Sequence, residues 1–323
     1  VARTDQSQGE ASMLLFRKFA VGAAFVAAFT VVHAASAADK MTLRKVTDDV
    51  YMMENGRGSS NSTFVVTRDG VLVFDFDVRT APQTLAAIRK ITDEKVRYLV
   101  SSHSAGDHAT GAWHFREDNP VYIASRPQAR DLFMQETREF QQRKEAGREG
   151  YKDAELVRPD IAFDGEMTLY FGGLTFQMKL EGHGHSTGDT TVYIPQKRVF
   201  LTGDLLDTEI HPGQGESAGV YYSVVDGWIR ILDNIMARKL AVDTYVPGHG
   251  PVHVGRGVAD LEEQKRYFVT IRDEVAKMVQ QGKTLDQIRK DLKLPGEFAK
   301  YKRPKRLRNF VDRTYYQVQE KGW

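Results

Sequence analysis

Ser101-Ser-His103-Ser-Ala105-Gly-Asp107-His108 brings three metal-ligand side chains, His103, Asp107 and His108, into one short turn after the run Arg97-Tyr-Leu-Val-Ser101. A coordination site needs such rigid presentation, because its ligands must be held far more accurately than a mobile loop allows. Three other segments repeat this grammar of a strand that ends in a turn bearing His or Asp. They are Gly182-His183-Gly-His185-Ser-Thr-Gly-Asp189, Leu201-Thr-Gly-Asp204 and Val246-Pro-Gly-His249-Gly250. The adjacent glycines permit sharp turns and close backbone approach. The chain has no cysteine, so a metal site must use imidazole and carboxylate donors, which suit zinc or iron.

Between these motifs the pattern is mixed. Strands are expected at 50–53, 62–67 and 70–77, a helix at 82–92, and strands at 96–101 and 120–125. A long charged helix follows over 126–147, with a mobile loop at 145–153. Further strands fall at 167–171, 174–180, 190–194, 198–202 and 243–246, with helices at 228–239, 259–281 and 285–292. The basic stretch 300–308 reads as a solvated surface segment. Periodicity alone defines a mixed α/β protein.

Forty-five Lys and Arg against 43 Asp and Glu leave no overall field to attract nucleic acid. Arg17-Lys18, an apolar stretch from Phe19 to Val32 and Ala35-Ser-Ala37 read as a secretory signal peptide over 13–37. Residues 1–12 precede Met13 and read as a non-native leader. The apolar stretch is shorter than the roughly 20 residues a membrane span needs, so no stable anchor is expected after cleavage. The expected location is periplasmic or secreted.

The four motifs, in this order, resemble those of the metallo-β-lactamase superfamily, with Ala105 where the middle histidine of H-x-H-x-D-H belongs. The resemblance implies an α/β fold, an αββα sandwich of two mixed β-sheets with external helices, within a domain over 38–254. Residues 255–323 then form a helical extension packed on the same domain, with homodimer contacts as a further role.

By the same resemblance, one metal position takes His103 and His185 with Asp204, and lacks the ligand that Ala105 replaces. The other takes Asp107, His108, His249 and the shared Asp204. One main zinc is the expectation, in a range of one or two per chain. The implied function is hydrolysis of a small-molecule ester, lactone, thioester or β-lactam, with Asp107, His103 and His185 in catalytic roles. A mononuclear Fe(II) oxygenase of the persulfide dioxygenase type, using His103, His185 and Asp204, is the alternative, together with a non-catalytic metal-binding homologue. Arg57, Tyr221, Tyr222 and Trp228 are the expected substrate contacts. His183 is a substitute-ligand candidate, and Asp77 either orients a ligating histidine or caps a turn. His33, His114, His211 and His253 read as ordinary surface or core residues.

Overall fold

The computed structural model describes residues 40–56, 60–214, 216–217 and 220–320. The leader, the signal peptide and Arg57 lie outside the described residues. So does the side chain of Tyr221.

The first sheet has seven strands in sequence order: β1 (Met41–Thr47), β2 (Val50–Asn55), β3 (Ser62–Thr67), β4 (Gly70–Phe74), β5 (Val96–Val100), β6 (Val121–Ser125) and β7 (Ile161–Phe163). β1 to β4 pair antiparallel, and β4 to β7 pair parallel. The second sheet contains β8 (Glu166–Phe171), β9 (Leu174–Gly182), β10 (Asp189–Ile194), β11 (Val199–Asp207) and β14 (Thr244–His249), in the order β14-β11-β10-β9-β8. Its β11–β14 pair is parallel and the rest antiparallel. A short ribbon, β12 (Glu216–Ser217) with β13 (Val220–Tyr221), lies between β11 and β14 in the chain.

Strand alternation explains the layering. Successive side chains of β4 point to opposite faces. Leu72 and Phe74 join Val65, Val100 and Ile123 in the core between the sheets, where they meet Phe176, Met178, Val192, Leu201 and Val246. Val71 and Val73 face the other way, onto α1 (Ala81–Ile91), where they pack with Ala87, Ile88 and Phe115. On the outer side of the second sheet, Phe200 and Tyr245 pack against α5 (Val225–Ala237), α6 (Ala259–Gln280) and α9 (Pro304–Glu320) through Trp228, Phe268 and Phe310. The result is the αββα sandwich. Short helices α2 (Gly106–Ala109), α7 (Leu285–Asp291) and α8 (Gly296–Ala299) complete the chain, with α3 (Arg126–Asp131), which runs through a π-turn at Leu132–Glu136 into α4 (Thr137–Glu145). Among the described residues no helix is long and apolar enough to cross a membrane.

Four local expectations need correction. β4 stops at Phe74, since Asp75 adopts φ 62°, so the strand does not reach Asp77. β11 continues to Asp207, five residues beyond the expected end at 202. The segment expected as a mobile loop is a run of turns that buries Tyr151 and Ala154 against Phe140 and Val78. Within 300–308, Tyr301 stacks on Tyr267 with ring centroids 5.7 Å apart. That segment is an anchor for the C-terminal helices as well as a basic surface.

Candidate metal centre

Strand ends of both sheets converge on one edge of the sandwich. The turn after β5 carries His103, Asp107 and His108; the turn after β9 carries His185; β11 carries Asp204; and β14 ends at His249. Asp204 is the hub. Its Oδ1 lies 3.1 Å from His108 Nε2. Its Oδ2 lies 3.2 Å from His249 Nε2, 3.5 Å from His185 Nε2 and 4.0 Å from His103 Nε2. Asp107 Oδ2 is 3.6 Å from His249 Nε2 and 3.8 Å from His108 Nε2. Two groups expected from sequence are thus assembled, His103/His185/Asp204 and Asp107/His108/His249, each with its ligand atoms within 4.8 Å of one another. A third group, Asp204/Asp207/His249, was not expected.

Glycine is required where the strands close on the hub. A Cβ on Gly248 would meet Asp204 Oδ1 at 2.2 Å, and one on Gly203, at φ +54°, would meet Ser102 Cβ at 2.2 Å. Asn61 ties the two halves together, donating from Nδ2 to Pro247 O at 3.1 Å and to Gly250 O at 2.8 Å. Ser60 donates its hydroxyl proton to the Asp107 carbonyl. These bonds fix the β2–β3 loop to the ligand turns, a structural role that the sequence reading of that loop did not assign.

His108 and His185 are held from behind. His108 Nδ1 is 2.9 Å from Asp75 Oδ2. Asp75 also accepts the Ser102 N–H at 2.6 Å and the Ser102 hydroxyl at 2.9 Å. A carboxylate on Nδ1 places the proton there and leaves Nε2 for an ion. Asp75 therefore takes the role considered for Asp77, which instead binds the Arg79 side chain and backbone N–H. Asp189 holds the His185 turn, accepting the Gly184 N–H at 3.0 Å and the Ser186 N–H at 2.8 Å. Burial pushes its carboxyl up to about 7 against those bonds.

Trp228 sits behind His185, edge to face at 5.3 Å, and donates its indole N–H to Leu205 O at 3.0 Å. It is wholly buried, so it supports the ring and offers no exposed surface to a substrate. His183 points away, its Nε2 on the Tyr222 carbonyl, and is exposed. It is not a substitute ligand. Tyr222 is partly buried, and burial raises its hydroxyl well above the ordinary range.

The electrostatics fit a cation. Burial lowers His103 well below its ordinary value and His185 to about 4, which keeps both neutral and able to coordinate. Burial opposes ionisation of Asp204, yet His108, His249 and His185 hold its carboxyl well below the usual range. The buried atoms without a hydrogen-bond partner include His103 Nε2 and Asp207 Oδ1. Buried polar atoms are normally satisfied, and a divalent ion satisfies imidazole nitrogen and carboxylate oxygen alike.

Asp75→Asn is expected to weaken metal binding about 10- to 100-fold while leaving the ligands in place. Calorimetric titration of metal-stripped protein measures it, and an unchanged affinity would remove Asp75 from the centre.

A profile of the metallo-beta-lactamase superfamily matches residues 55–249. The chain belongs to that superfamily. It is 22% identical over 195 residues to a metallo-beta-lactamase type 2 of Bacillus cereus, covering 60% of this chain and 68% of that protein. It is also 22% identical over 266 residues to a linear primary-alkylsulfatase of Pseudomonas sp. (strain ATCC 19151), covering 72% and 50%. Among solved structures, the inverting sec-alkylsulfatase Pisa1 from Pseudomonas sp. superposes with TM-score 0.67 at 18% identity, over 86% of this chain and 50% of that one. The DIM-1 metallo-beta-lactamase superposes with TM-score 0.54 at 20% identity, over 72% and 98%. The chain thus spans about half the length of the alkylsulfatases it matches.

Proposed function

We propose that the protein is a zinc-dependent hydrolase of a small-molecule ester, thioester, lactone or β-lactam bond, with one main zinc held by Asp107, His108, His249 and Asp204. The observation that carries this reading is the Asp204 carboxylate poised between His108 and His249 at 3.1 and 3.2 Å. His103, His185 and Asp204 form the weaker second position, because Ala105 supplies no ligand. Zinc held at the main position would supply Lewis acidity and a water whose pKa falls to about 7.

The remaining work belongs to the protein's own groups. His103 Nε2 is neutral, buried and without a hydrogen-bond partner, and accepts a hydrogen bond from the water when it is not ligating. Asp107, with 29% of its side chain exposed, faces the solvent side of the cluster and orients the attacking water. Asp204 keeps the two positions in register. We place the enzyme in the periplasm or outside the cell, after removal of residues 13–37.

A second reading is a sulfate ester as substrate. The match to a sec-alkylsulfatase structure over 86% of the chain extends into the C-terminal helices, whereas the DIM-1 lactamase match covers 72%.

Metal analysis of protein purified without chelator, followed by turnover on a panel of carboxylic esters, lactones, thioesters, β-lactams and alkyl sulfates, tests both readings. Zinc is expected, with activity lost on chelation and restored by zinc. Activity that survives complete chelation, or iron with oxygen uptake and no hydrolysis, overturns the proposal.

A further inference from the structure

β11 runs three residues beyond Asp204 and delivers another carboxylate, Asp207, opposite His249 in the β11–β14 register. Asp207 is 2% exposed. Its Oδ2 accepts the Gly213 N–H at 3.0 Å and lies 3.9 Å from Arg306 Nη1 on α9. Its Oδ1 has no hydrogen-bond partner. Ligand atoms of Asp204, Asp207 and His249 lie within 4.8 Å of one another. Two buried carboxylates this close repel, and burying an unsatisfied ionised oxygen is costly. Arg306 offsets only part of this, since its Nη1 also lacks a hydrogen bond and lies on the Oδ2 side.

We propose that Asp207 is a further ligand of the divalent cation that Asp204 and His249 hold. The inference rests on reading the cluster as a metal centre, and it extends the ligand set beyond the four sequence motifs. That cation then has three carboxylates, Asp107, Asp204 and Asp207, with two imidazoles, His108 and His249. Carboxylate-rich sets suit Mn²⁺ better than imidazole-rich ones do. The chain thus concentrates donors on one ion while Ala105 depletes the other. The C-terminal helix also enters the centre's electrostatics, because the Arg306 charge beside Asp207 competes with the cation.

The test is calorimetric titration of the full, metal-stripped chain with Zn²⁺ and with Mn²⁺, fold being checked by circular dichroism. Asp207→Asn is expected to weaken the tighter binding event at least about tenfold, and Mn²⁺ more than Zn²⁺. Arg306→Gln keeps the carboxylate and removes the competing charge, so it is expected to tighten binding. Unchanged affinity in Asp207→Asn, or weaker binding in Arg306→Gln, overturns the inference and leaves Asp207 as the partner of Arg306 alone. Wild-type protein that binds neither ion overturns the metal-centre reading itself, a result distinct from both.

Discussion

Asp204→Asn is expected to cut hydrolytic turnover by about three orders of magnitude and to destabilise the metal-free protein as well. The first effect follows from position, because among the described residues Asp204 is the one carboxylate within 4.0 Å of His103, His108, His185 and His249 together. Losing about 4 kcal/mol of metal-derived charge stabilisation corresponds to about 10³ in rate. The second effect follows from charge. In the metal-free protein, burial works against a charged His108, but Asp204, Asp75 and Asp107 outweigh it and raise its pKa well above the ordinary value. Removing Asp204 leaves the His108 charge to Asp75 and Asp107 alone, at a cost of up to about 3 kcal/mol.

The two pKa directions define the pH window. The depressed Asp204 carboxyl contributes stability above its unfolded value of about 3.9, and loses it as pH falls through the folded value. The raised His108 imidazolium contributes fully below its unfolded value of about 6.5, and loses it as pH rises through the folded value. The gap between wild type and variant is therefore widest between about pH 4 and 6.5, read from urea unfolding of chelated protein. A variant with near-normal turnover, or one as stable as wild type across that window, would remove Asp204 from the hub.

The ligands were legible because each follows an apolar strand and stands beside glycine, a local pattern that survives without knowledge of the tertiary structure. Their supports were not. Asp75 and Asp77 are alternate residues on what reads as one strand, and only the left-handed turn at Asp75 decides which carboxylate reaches His108. Asp207 was missed because Leu205 and Leu206 blur the end of β11, and nothing local says that the strand continues opposite His249. Trp228 read as a cleft aromatic, since burial at 0% exposure depends on α5 packing over β11, a contact between distant segments. The edge strand β1 escaped notice for a related reason. Most of its residues face solvent, so it carries no apolar alternation. The layer order came from the resemblance, while strand positions came from alternation and turn residues.

Ala105→His is expected to raise the metal content from one to two ions per chain and to increase turnover by about tenfold. His103, His185 and Asp204 already have ligand atoms within 4.8 Å, so the position lacks one donor and not its frame. Ala105 is partly exposed at the start of α2, so a larger side chain there is not forced into a packed core. A zinc site of four ligands is worth about 10–16 kcal/mol, so one added ligand is worth about 3 kcal/mol, or about 10²-fold in affinity. The gain in rate is smaller than the gain in affinity, because the second ion only shares the charge that the first already stabilises. Ala105→Leu supplies similar bulk without a donor and separates coordination from packing. If Leu and His variants behave alike, coordination is not the cause. If wild-type protein already carries two tight ions, Ala105 depletes nothing, and the asymmetry between the two positions has to be sought in Asp207 and Arg306 instead.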